Sequence, residues 1–149
     1  MKRFIVTMLC LLLMTSASAD TVWVLCQPDS YVNIRGKASS HSEEVGYALC
    51  GDSFETDGTI RNGYIHVYAP VEAGEGWISN GFAVWSEPEE LNQEAVIDAK
   101  GRVALRRSVN GDRREWKRNG DKLQVYWISD LWAVTDHGFV KTEFLLFER

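Results

Sequence analysis

YVNIRGKASS, residues 31–40, is the stretch on which the fold turns. Val32 and Ile34 alternate with Asn33 and Arg35, the period of a strand with one buried face. A small, polar run follows at once, from Gly36 to Ser40. A catalytic turn, a phosphate cradle and a structural corner all fit a strand that ends in Arg-Gly. A phosphate cradle needs a Gly-rich loop that opens a helix, and no helix signal follows Ser40. A corner and a catalytic turn remain open on these residues. As a corner, Val32 and Ile34 would fill a small core, Arg35 would leave the strand end, and the small residues would permit a tight path.

The same pattern recurs along the chain. Thr21-Val-Trp-Val-Leu-Cys26 is β-branched and aromatic. In Tyr64-Ile-His-Val-Tyr68, Ile65 and Val67 share one face, and Tyr64, His66 and Tyr68 share the other. Lys122-Leu-Gln-Val-Tyr-Trp-Ile128 groups Leu123, Val125 and Trp127. Asp57-Gly58, Asn62-Gly63, Asn110-Gly111 and Asn119-Gly120 punctuate these runs. Such pairs tolerate the positive φ angles of tight hairpins. Many short strands joined by turns describe an all-β chain, a barrel or a sandwich. Residues 86–95 are acidic and nearly free of large apolar side chains. They are expected to be a linker, with Ser86 capping one helical turn and Glu89 three residues on.

The first residues carry an address. Lys2 and Arg3 precede an apolar stretch from Phe4 to Met14, and Ala17-Ser18-Ala19 closes it. This is the layout of a secretory signal peptide, residues 1–19, with cleavage expected after Ala19. The apolar stretch is short of the roughly 20 residues of a membrane span. No second such run follows, so a secreted or periplasmic chain without a membrane span is expected. Cys10 leaves with the signal. Cys26 and Cys50 remain, an even count that suggests one disulfide in an exported domain.

Charge is divided between the halves. Residues 20–99 hold three Lys/Arg against fourteen Asp/Glu; residues 100–149 hold eleven against seven. An acidic front and a basic back suggest two units with different surfaces. Ordered similarities agree. Val32-Asn-Ile-Arg35 matches Val103-Ala-Leu-Arg106, Gly51-Asp52 matches Gly120-Asp121, Gly76-Trp-Ile78 matches Gly138-Phe-Val140, and Phe82 matches Phe144. Gly51 and Gly76 lie farther apart than Gly120 and Gly138, which places extra length in the first copy, near Ala69 to Glu75.

The order of these pieces resembles the bacterial SH3 (SH3b) family. Val32-Asn-Ile-Arg-Gly-Lys-Ala-Ser39, Glu44-Val-Gly-Tyr-Ala-Leu-Cys-Gly-Asp52, Asn62-Gly-Tyr-Ile-His-Val67 and Gly76-Trp-Ile-Ser-Asn-Gly-Phe82 follow its sequence of strands and turns. The second copy departs at Ala104, where the Asn is missing, and at Arg113-Arg-Glu-Trp-Lys117. Its end, Gly138-Phe-Val-Lys-Thr-Glu-Phe-Leu145, fits again. The resemblance implies two small SH3-like barrels in tandem, residues 20–85 and a divergent 96–149, with 86–95 between them. It implies non-catalytic binding of cell-wall peptidoglycan or its peptides. An envelope protein partner, met by tandem units packed together, is the alternative. Trp77 is expected in the core, by the same resemblance.

Other chemistry finds little footing. His41, His66 and His137 sit in separate segments, and Cys26 precedes a turn rather than a helix, so a Cys–His nucleophile is not expected. No Cys-x-x-Cys or helical His pair exists, so no metal and no cofactor are expected. Export and net negative charge speak against nucleic acid. Tyr64, His66 and Tyr68 are candidates to line a groove, with a plain outer face as the alternative and His66 as an exposed residue in it. Arg113, Arg114, Trp116 and Trp132 are candidates to bind a wall polymer by charge and stacking.

Overall fold

The computed structural model describes residues 20–148, and the expected signal peptide lies outside them. The chain is nearly all strand. The first half forms β1 (Asp20–Val24), β2 (Tyr31–Arg35), β3 (Glu44–Leu49), β4 (Ser53–Thr56), β5 (Ile60–Arg61), β6 (Tyr64–Tyr68), β7 (Glu75–Ser79) and β8 (Ala83–Val84). The second forms β9 (Glu89–Ile97), β10 (Val103–Arg106), β11 (Arg113–Lys117), β12 (Lys122–Ile128), β13 (Trp132–Thr135), β14 (Gly138–Lys141) and β15 (Leu145–Leu146). A 3-10 turn precedes the last strand of each half, at Asn80–Phe82 and Thr142–Phe144. No helix among the described residues is long and apolar enough to cross a membrane.

The two sheets repeat one plan. The first runs β3-β2-β7-β6-β4-β1-β8, with β5 added against β6; the second runs β11-β10-β14-β13-β12-β9-β15. Each curls around its own apolar cluster as a small barrel-like unit. Alternation fills both cores: Val22, Val24, Val32, Ile34, Ile65, Val67 and Ile78 in the first, Ile97, Val103, Leu105, Leu123, Val125 and Val140 in the second. Backbone bonds repeat as well. Gly51 N–H donates to Val24 O at 2.8 Å, and Gly120 N–H to Ile97 O at 2.7 Å. Arg35 faces Trp77 across the sheet as Arg106 faces Phe139. The extra length of the first copy lies mainly in the 69–74 loop, against a two-residue turn at 136–137.

Local chemistry explains the turns. Asn62 and Gly63 both adopt positive φ, 51° and 78°, between the paired residues Arg61 and Tyr64. That is the two-residue hairpin its Asn-Gly sequence predicts. At Gly138, φ is 118° and an added Cβ would stand 2.5 Å from Arg106 O. Only glycine suits that crossing of strands.

Three expectations need correction. Residues 86–95 do not form a helical turn, because from Glu89 the chain is strand, paired along β12. Only Ala95 and Ile97 of β9 are buried, so the rest extends past the core and carries no apolar signal. Asn92, at φ 50°, marks the interruption in its pairing. Trp127 does not join Leu123 and Val125. A register shift between Val125 and Trp127 turns it out of the core, as bulges do. Trp77 is half-buried and lies outside the core, because Gly76 and Ile78 take the inward positions of β7.

A third apolar cluster joins the units. Leu25 and Val84 of the first pack with Trp132, Val134 and Phe139 of the second, and Trp23, Phe82, Val109 and Trp127 border them. Phe82 and Phe139 lie ring to ring at 6.0 Å. Gln27 Nε2 donates to Thr135 O at 2.9 Å, and Val109 N–H to Gly81 O at 2.8 Å. Among the described residues, no ion pair crosses this seam. Apolar burial holds the two units together.

Candidate functional site

Arg35, at the end of the opening stretch, is a clip. Its Nη1 donates to Ser42 O at 2.9 Å and closes the loop that follows β2. Arg106 does the same in the second unit, donating from Nη1 to Gly111 O at 2.9 Å. The strand-end arginines therefore have structural partners, and the loops are corners.

The candidate surface lies on the free edges of the two sheets. Among the described residues, β3 pairs only with β2, and β11 only with β10. Cross-strand register places Tyr47 opposite Asn33 and Trp116 opposite Ala104, the same position in each unit. Likewise Glu44 stands opposite Arg35, and Arg113 opposite Arg106. Each edge thus carries an outward aromatic, 68% exposed at Tyr47 and 39% exposed at Trp116. The charge beside it is reversed: Glu43 and Glu44 in the first unit, Arg113 and Arg114 in the second.

Around Trp116 the basic edge is organised. Arg102 Cζ lies 4.2 Å from the ring centroid and Arg113 Cζ 4.7 Å. Two guanidinium groups on one indole are held by cation–π attraction. They present donors in planar forks, suited to carboxylate or phosphate. Arg114 is exposed beside them, whereas Lys117 is engaged by Glu115 at 3.6 Å. His137 Nδ1 and Glu115 Oε1 are 2.7 Å apart. Burial works against charge on Glu115, yet His137 and Lys117 hold its carboxyl below the usual range. Arg102 was not among the expected residues. Only the strand pairing, which sets it one residue before Val103 opposite Lys117, reveals it.

Tyr64, His66 and Tyr68 do share the outer face of β6, but they make no open groove. His66 is buried rather than exposed, with Trp77 at 5.1 Å and Tyr68 at 5.2 Å between ring centroids. Its Nε2 lies 3.2 Å from Glu75 Oε2. Its Nδ1 lies 3.2 Å from Asp57 Oδ2, within charge attraction but outside hydrogen-bond geometry. Asp57 is held below the usual carboxylate range, first by the N–H of Thr59 and further by His66. Arg61 covers Trp77 at 5.6 Å. Tyr68 instead turns its exposed part toward a cleft of about 850 Å³ shared with Tyr47 and Glu72.

Trp132 is not at the basic edge. It is 5% exposed and belongs to the seam. Its rim lines a cleft of about 440 Å³ between the units, with Trp85, Val109, Leu131 and Asn110. The structure therefore brings Arg113, Arg114 and Trp116 together and sends Trp132 elsewhere.

Cys26 and Cys50 are neighbours, but their sulfurs are not bonded in this structure. Cys26 N–H donates to Cys50 Sγ at 3.3 Å. The Cys26 thiol is pushed up, first by its hydrogen bond to Cys50 and then by burial, while Cys50 is drawn down as the acceptor. Among the described residues, no three His, Cys, Asp or Glu side chains cluster as metal ligands.

No protein-family model matches this chain, and no curated protein matches it. Among solved structures it is similar to NlpC1 and NlpC2 from Trichomonas vaginalis, at 12% and 11% identity and a TM-score of 0.37 for each. Those alignments cover 88% of this chain but 46% and 49% of the two proteins, so this chain spans about half their length.

Proposed function

We propose that this chain is an exported, non-catalytic binding protein of the SH3b type. In this reading it recognises cell-wall peptidoglycan or its peptides through the β11 edge of the second unit. The observation that carries it is the Arg102–Trp116–Arg113 stack. An exposed aromatic with two fixed guanidinium groups suits a polymer that offers carboxylates beside apolar surface. The ordered SH3b-like motifs supply the class.

Co-sedimentation of residues 20–149 with purified sacculi tests this. That segment carries every described element. Binding is expected at low salt, to weaken as salt screens the arginines, and to fall further in Arg113→Ala/Arg114→Ala. Absence of pelleting at low salt on several wall types defeats the reading.

A second reading is an envelope protein partner. The apolar seam supports it, because it welds the units into one surface, with Trp85 and Leu131 exposed beside the cleft. Such an apolar contact would keep its affinity as salt rises.

A further inference from the structure

We infer that the β3 edge of one copy of this chain docks on the β11 edge of another. Unpaired sheet edges are templates for strand addition, and charges on them decide which pairings are allowed. Here the two edges occupy equivalent positions in their units and carry opposite charge. Glu43 and Glu44 flank the acidic edge, and Arg113 and Arg114 the basic one. Two β3 edges repel each other, as do two β11 edges. A β3 edge against a β11 edge attracts.

Apolar surface supports the same pairing. Beside Tyr47, the β2–β3 hairpin exposes Tyr31 and Leu49, which face each other across the strands. Tyr31 and Tyr47 meet edge to face at 5.9 Å. Trp116 is the exposed aromatic at the matching place on β11. Tyrosine and tryptophan with arginine is the composition that anchors protein interfaces. The contact is head-to-tail, so it leaves a free β3 at one end and a free β11 at the other, and association grows with concentration. It does not depend on the wall-binding reading. Both claim Arg113 and Trp116, so soluble wall peptide that binds there displaces the second copy.

Sedimentation velocity of residues 20–149, without wall material, tests it across a concentration series. At about 50 mM salt the weight-average coefficient rises with concentration, and at about 500 mM the rise is lost. Glu43→Lys/Glu44→Lys and Arg113→Glu/Arg114→Glu each weaken association by about tenfold or more. An equimolar mixture of the two variants regains it, because the unaltered β11 edge of the first meets the unaltered β3 edge of the second, and the two altered edges meet with their charges exchanged. Both variants keep a negative formal charge, so bulk attraction does not explain the rescue. A single-chain species at every concentration and low salt overturns the proposal. So does association that ignores both reversals, or two inactive variants that fail to rescue each other.

Discussion

The outer faces of the two units stand in the same place in the fold and do different things. In the first, the β6–β7 face carries His66 and Trp77, ringed by Asp57, Glu75 and Arg61. In the second, the equivalent positions are Val134 and Phe139, and both are buried in the seam. The opposite side of the seam shows the mirror of this. Leu25 follows β1 and is fully buried, while the equivalent Asp98 follows β9 and is exposed. A contact between unlike surfaces of similar units could repeat indefinitely. Here it stops at one, because charge stands on both faces that would continue it. Duplication of a fold does not duplicate its surface.

The largest effect is expected from copying the second unit's charge into the first. Leu25→Asp buries an unpaired carboxylate in the seam and costs about 3–5 kcal/mol or more. One unfolding transition in urea becomes two as the units part. The converse, Asp98→Leu, shifts stability by only about 0.5 kcal/mol, as an exposed change does. Equal effects would break the comparison.

Next comes the aromatic pair. Phe139→Ala costs about 3–5 kcal/mol, as for a buried aromatic. Trp77→Ala costs clearly less in the same denaturation series, because part of the indole already meets water.

The cysteine corner sharpens the comparison further. Ala99 N–H donates to Asn119 Oδ1 at 3.0 Å, where the first unit has Cys26 N–H and Cys50 Sγ. The second unit closes that corner without sulfur. Reduced Cys50→Asn is therefore expected to stay within about 1 kcal/mol of the parent, measured by thermal unfolding. Oxidation of the parent should add up to about 3.5 kcal/mol, the chain-entropy value for a loop of this size. A parent indifferent to oxidant and reductant would show that the two thiols stay apart.

The smallest effect is electrostatic. Glu115 is lowered in the folded chain, so its contribution is complete above the unfolded carboxyl value of about 4.3. It is lost as pH falls through the lowered folded value. Glu115→Gln should lower the neutral plateau of a stability–pH curve slightly and flatten its acid limb, so that variant and parent converge at low pH.

How much of this was legible follows from what leaves a periodic trace. Val32, Ile34, Ile65, Val67 and Leu123 alternate, and the strands follow from them. The ordered repeats at Arg35/Arg106 and Gly76/Gly138 give the tandem plan. Trp77 was misplaced in the core by the family resemblance, although Ile78 inward requires its neighbour outward. The strand at Glu89–Ile97 was hidden because most of it runs beyond the core and has no apolar face. Trp132 was hidden for another reason. Its strand is buried on both sides, one by the barrel and one by the seam, and alternation then disappears. The Arg102–Trp116–Arg113 stack depends on cross-strand register, which adjacent residues do not encode.

The edge strands decide the functional account, and one paired measurement addresses them directly. Tyr47→Ala and Trp116→Ala remove equivalent exposed aromatics from the acidic and basic edges. Sacculi pelleting at low salt is predicted to fall about tenfold for Trp116→Ala and to stay at the parent level for Tyr47→Ala. Equal retention by both variants, or a loss confined to Tyr47→Ala, would contradict wall recognition by the second unit.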